Sequence, residues 1–201
     1  VEAKAAAEPD CPPGYTRDAT ATTITLCKRG ADEMVKAGSF WIDRYEASLV
    51  DSGLYNGGKC NGVGNQYGGG GSVKNDCALD YPSTFPCSGN WTTKVHACSI
   101  KGMVPSRSMT WFQAAQACEL AGKKLCSNYQ WQVAAAGTYD PGSWPDSNPA
   151  DGCTLSAASG TLCNTCSAGL RWTGMGTGSP GTTASCVSNW GAEDMVGNLK
   201  E

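Results

Sequence analysis

The chain has 201 residues, a formal net charge of −3 at pH 7, and only 16% charged residues. That length is enough for one sizeable core, and the acidic balance excludes a nucleic-acid footprint. No apolar stretch approaches the roughly eighteen residues that a membrane-spanning helix needs.

Twelve cysteines are spread along the whole length: Cys11, Cys27, Cys60, Cys77, Cys87, Cys98, Cys118, Cys126, Cys153, Cys163, Cys166 and Cys186. An even count with 26 glycines and sparse charge reads as a disulfide framework. It places the protein in an oxidising compartment: secreted, at the cell surface, or periplasmic. Zinc is excluded as an organiser, because only Cys163 and Cys166 have ligand spacing and His96 is the only histidine.

Residues 1–10 are polar and alanine-rich and are expected to be a disordered N-terminal segment. Residues 11–201 are expected to form a single domain. Cys11 and Cys27 bracket a hairpin and are placed to tie it shut, with a strand expected over Thr20 to Leu26 from its β-branched residues. Gly38 to Ser48 alternates as a half-buried strand, with Trp41, Asp43 and Tyr45 on one side and Phe40, Ile42 and Arg44 on the other.

Residues 51–100 lose regular signals and carry glycine runs and four cysteines, which reads as a long insertion pinned by disulfides. The glycine run lacks the flanking elements and the Lys-Ser/Thr ending of a phosphate loop. Asn90-Trp-Thr92 matches an N-glycosylation acceptor.

Two helices follow. Thr110 with Gln113, and Ser127 with Gln130, both fit the capping box, and Gly122 and Gly137 mark the stops. In the first helix Trp111, Ala114, Ala115, Cys118 and Ala121 fall on one face and are expected in the core. The second is expected to bury Trp131 and Ala135. Lys123 and Lys124 sit where positive charge is favoured near a helix end.

Beyond Tyr139 the chain is rich in Pro, Gly, Ser and Thr and reads as loops held by Cys153, Cys163, Cys166 and Cys186. It closes on a stretch where Asp194, Asn198 and Glu201 stand among small and apolar residues, with Gly197 suited to a tight turn. Two readings are open there: an ordinary turn, and a wrap around a hard cation such as calcium.

Four stretches in this order carry a resemblance. They are Phe40-Trp-Ile-Asp-Arg-Tyr-Glu46, then Pro105-Ser-Arg-Ser-Met-Thr-Trp-Phe-Gln-Ala-Ala-Gln-Ala-Cys118. Next come Ala121-Gly-Lys-Lys-Leu125 with Trp131-Gln-Val-Ala-Ala135, and last Trp190-Gly-Ala-Glu-Asp-Met-Val-Gly-Asn198. Together the four stretches resemble the formylglycine-generating-enzyme family, also called sulfatase-modifying-factor domains, from about Gly38 to Glu201. The resemblance implies a variant of the C-type-lectin fold: α+β, loop-rich, disulfide-stapled, with two helices against a twisted antiparallel sheet.

The resemblance also implies calcium on Asp194, Gly197, Leu199 and Glu201. A second family calcium uses an asparagine similar to Asn164, whose acidic partner this sequence does not supply. Family likeness pairs Cys118 with Cys126 and Cys163 with Cys186. Members that oxidise a substrate cysteine use two reactive cysteines, copper-binding in several members, downstream of the closing motif. No cysteine here matches them, and iron-dependent relatives need a histidine cluster that one histidine cannot supply. No catalytic residue is therefore expected, and copper enters only with a catalytic part beyond residue 201.

In the family, strands after the closing motif complete the sheet. The chain is accordingly expected to be a piece of a longer protein, or to leave a sheet edge unpaired for a partner or for self-assembly. The expected function is an exported, non-catalytic module, supported by calcium and disulfides, that binds a protein or carbohydrate ligand or serves an extracellular assembly. The alternatives are a formylglycine-generating or related oxidase with its cysteines beyond residue 201, and a structural subunit of a surface filament.

Overall fold

The computed structural model describes residues 11–51, 60, 66–68, 81, 84–88, 94–138, 187–193 and 195. A four-stranded antiparallel meander comes first, with β1 Thr16–Arg17, β2 Leu26–Arg29, β3 Asp32–Ala37 and β4 Phe40–Asp43 in spatial order. Two-residue loops join β2 to β3 and β3 to β4. Each opens on a glycine at positive φ, Gly30 at 65° and Gly38 at 56°, a conformation that a side chain would strain.

A second antiparallel sheet has the order β6-β5-β7, from β5 Ser48–Val50, β6 Gln66–Tyr67 and β7 His96–Cys98. The two sheets are stitched together. The Glu33 N–H donates to the Ser99 carbonyl (2.9 Å), and the Ala31 N–H donates to the Cys60 carbonyl (2.7 Å).

Disulfides fasten both units. Cys11 bonds to Cys27 across the β1–β2 hairpin, as the bracketing suggested, and Cys60 bonds to Cys98 inside the apolar cluster of Val50 and Ile100. Cys87 is disulfide-bonded as well. Cys118 and Cys126 depart from expectation: both are free thiols. The short connection between them turns the Lys123 side chain inward, where it is 5% exposed, and Cys126 lies on the surface. Cys77, Cys153, Cys163, Cys166 and Cys186 lie outside the described residues.

Helix α1 runs Trp111–Leu120 and α2 runs Asn128–Ala135. Both capping boxes form with both reciprocal hydrogen bonds, and Gly122 (φ 73°) and Gly137 (φ 82°) follow the helix ends. The buried face of α1 is only partly the expected one: Ala114, Ala115 and Cys118 are half-buried and Ala121 is buried, but Trp111 is not. Gln113, Ala117 and Ala121 are buried, whereas Trp111 is 68% exposed and Phe112 59%.

Gln113 explains the rotation. Its Oε1 accepts from the Thr110 N–H and its Nε2 donates to the Phe85 carbonyl (2.9 Å each), so a polar residue holds the inward position. In α2 the buried residue is Ala134, while Trp131 and Ala135 are half-buried against the same cluster.

The expected strand over Thr20 to Leu26 begins only at Leu26. Asp18 captures the Thr20 N–H (3.0 Å) and hydroxyl (2.6 Å) and folds that segment into a turn. Strand β4 is half-buried along its whole length, as expected. Phe40 and Ile42 pack against the Leu26–Val35–Ala37 core, and the strand borders a cavity as well.

Residues 187–193 return to the first sheet: the Glu193 N–H donates to the Arg44 carbonyl (2.7 Å) and Trp190 Nε1 donates to the Val133 carbonyl (2.8 Å). Gly191 (φ 87°) permits this approach, because a Cβ there would lie 2.7 Å from Ile24 Cδ1. Among the described residues, no helix is long and apolar enough to cross a membrane.

Thr110 both caps α1 and donates its hydroxyl to the Cys87 carbonyl (2.7 Å). Thr110→Ala is expected to lower stability by about 1 kcal/mol in urea unfolding; an unchanged midpoint would contradict the capping account.

Candidate functional site

A cavity of about 940 Å³ opens between β4, the irregular connection from Tyr45 into β5, helix α1 and the closing segment. Its walls are mainly apolar, with Phe40, Trp41, Ile42, Met109, Trp131 and Met195 contributing. A cavity of this size with a few convergent polar groups is the form that small-molecule sites take.

The polar wall comes from a buried charge cluster assembled from distant parts of the chain. Asp32, the first residue of β3, is 0% exposed. One of its oxygens accepts from the Ser99 N–H (2.8 Å) and from the Lys123 ammonium (2.8 Å). The other accepts from Arg29 (3.0 Å) and from the Tyr15 hydroxyl (2.5 Å). Arg29 also donates to the Ala121 carbonyl (2.8 Å), which ends helix α1.

Lys123 also meets Asp43 at the end of β4, 2.7 Å from Oδ1. At that distance the contact is an ion pair on a buried oxygen.

These environments push the two carboxylates apart. Burial alone would raise the pKa of Asp32, but the Lys123 charge and four hydrogen bonds hold it below the ordinary carboxylate value. Asp43 is pushed up to about 6, first by burial and then by Asp32, with Lys123 opposing. The Lys123 pKa is raised although burial opposes it, because Asp43 and Asp32 both favour the ammonium.

Both free thiols line the cavity. Burial, followed by the Asp43 charge, pushes the Cys118 thiol up to about 11, and burial also raises Cys126. A nucleophilic or metal-binding cysteine needs the opposite shift. The histidine, His96, is buried and pushed down to about 4, by burial first and then by Arg29 and Lys94.

A second ionic node lies alongside. Arg44 pairs with Glu33 (2.9 Å) and with Glu193 (2.7 Å), tying β3 to the closing segment. Glu193, 3% exposed, is the neighbour of Asp194, and its side chain is engaged by that arginine.

The expected calcium ligands Asp194, Gly197, Leu199 and Glu201, the doubtful Asn164 and the acceptor Asn90 lie outside the described residues. Among the described residues, no group of three or more His, Cys, Asp or Glu side chains could hold a metal ion. The structure brings together a set that sequence reading missed: Asp32, Asp43 and Lys123. The available signal was small, a Lys three residues after a helix and an Asp at each of two strand ends.

The family model for the sulfatase-modifying factor enzyme 1-like domain matches residues 12–201. Neither the curated proteins nor the solved structures give a significant match.

Asp43 gives a pH prediction of definite sign. Its folded pKa lies above its ordinary value of 3.8, so its contribution is full below that value and is lost as pH rises through about 6. Relative to Asp43→Asn, the wild-type protein is expected to lose on the order of 2 kcal/mol between about pH 4 and pH 7. Denaturant unfolding of both proteins across that range checks it; a constant difference would contradict the assignment.

Proposed function

The chain belongs to the sulfatase-modifying factor enzyme 1-like family, and we propose that within it this protein is an exported, calcium-supported module that binds a ligand. The observation that carries the reading is the chemistry of the cavity wall. An apolar cavity is bordered by two thiols that burial holds protonated, which suits occupancy by a ligand better than thiol-based oxidation.

Disulfides persist in oxidising surroundings, which supports a secreted, cell-surface or periplasmic setting. The ligand would be a protein or a carbohydrate.

Calcium in this reading would be held by Asp194, Gly197, Leu199 and Glu201. Carboxylates and backbone carbonyls are the hard oxygen donors that this ion takes. Bound there, the ion would neutralise acidic groups and pin the closing turn. Glu193 is already engaged with Arg44, so it does not compete for that role.

The family match favours one rival: an oxidase whose copper-binding cysteines lie beyond residue 201. Self-assembly remains a third role, through the outer edge of β4, which has no strand partner among the described residues.

Thermal unfolding with excess calcium and with chelator tests the calcium part. A fall of several degrees on chelation is expected, since an ion that binds only the folded state stabilises it. Identical midpoints would remove calcium from the account. With the full-length gene product and copper supplied, a Cys-x-Pro-x-Arg peptide is expected to stay unconverted by mass spectrometry; conversion would establish the oxidase instead.

A further inference from the structure

Hydrogen bonding to the two buried carboxylates is unequal. Asp32 receives four donors: the Ser99 N–H, Lys123, Arg29 and the Tyr15 hydroxyl. Asp43 has one partner among the described residues, the Lys123 ammonium, which it shares with Asp32. An ionised carboxylate accepts about four hydrogen bonds, so Asp43 retains nearly all of its acceptor capacity.

That capacity faces the cavity. Oδ1 is buried beside Lys123, yet the Asp43 side chain is 21% exposed, so its open part belongs to its other atoms. The side chain lines the cavity, where Phe40, Trp41 and Trp131 also contribute. A carboxylate in apolar surroundings is satisfied best by a charged donor. Aromatic faces add attraction for the same charge, and the Trp41 ring already receives the Lys36 ammonium at 5.2 Å.

Three of the other charges around the cavity are committed elsewhere. Arg29 and Lys123 are taken up by Asp32, and Glu193 by Arg44. Glu46 adds a carboxylate to the wall and Lys124 an ammonium.

We propose that the cavity is a binding site for a small organic cation, an ammonium group on an apolar or aromatic body, with Asp43 as its counter-ion. This rests on the reading of the cavity as the ligand site and names the ligand class. The body of the ligand fills the apolar space, and its ammonium meets the open part of the Asp43 side chain while Lys123 holds Oδ1. Asp43 is faced by Lys123 from the helix connection, Asp32 from β3, Arg29 from β2, Tyr15 ahead of β1, and the thiols Cys118 and Cys126. Among these, Asp43 is the group that titrates near pH 6, so binding weakens as the medium is acidified through that value.

Isothermal titration of the intact chain with benzylammonium, and with benzyl alcohol as its neutral counterpart, tests the proposal. Benzylammonium is expected to bind about tenfold or more tightly than the alcohol at neutral pH, a preference that Asp43→Asn abolishes. Its affinity is expected to fall between about pH 7 and pH 5. Equal binding of the two probes to the wild-type protein overturns the cation assignment while leaving a ligand cavity in place. Binding of neither overturns the assignment and the cavity reading together. Because the probe comparison uses wild-type protein, it stands even if the Asn variant folds poorly.

Discussion

Asp32 is a fully buried carboxylate at the first position of a core strand, and the rest of the architecture is arranged around neutralising it. Removing such a charge from water without partners is strongly unfavourable. The chain meets it with groups from four places: Tyr15, Arg29 on β2, Ser99 beyond β7, and Lys123 after α1; Lys123 in turn brings in Asp43 on β4. Each partner belongs to a different segment, so satisfying one carboxylate fixes how both sheets and the first helix meet. Arg29 tightens the arrangement further by capping the end of α1 through the Ala121 carbonyl.

The same cluster shapes the cavity. The Lys123 side chain turns into the interior, and the space beside β4 is walled by the helix connection on one side and by aromatic residues on the other. Asp43 stands at this boundary, with one oxygen committed to the cluster and the rest of the side chain toward the space. A structural ion pair and a candidate recognition group are thus parts of one assembly. The second node, with Arg44 between Glu33 and Glu193, holds the closing segment against the sheet next to the expected calcium residues. This is the α+β, C-type-lectin-like scaffold that the family domain implies.

What could be read from the sequence was local. The helix boundaries follow from capping boxes and glycine stops within a few residues of one another, and Cys11 with Cys27 could be matched because they bracket one hairpin. The ion cluster could not be read, since Asp32 and Lys123 are 91 residues apart and no pattern connects them. Lys123 looked like a surface lysine near a helix end because propensity carries no information about a buried acid waiting elsewhere. Periodicity also misplaced Trp111, since it assigns apolar residues inward, whereas the hydrogen bond from Gln113 to Phe85 placed an amide there. The segment from Thr20 failed as a strand for a similar reason, a side chain at Asp18 competing for its backbone.

The account turns on Lys123 being an interior ion-pair partner and not a solvated one. Urea unfolding of Lys123→Met at neutral pH measures this directly, since methionine retains most of the stem while removing the charge. Loss of roughly 3 to 5 kcal/mol is expected, the cost of leaving buried acids without their partner. A change within about 0.5 kcal/mol, the range of an ordinary surface substitution, would contradict the buried cluster as the organising feature of the fold.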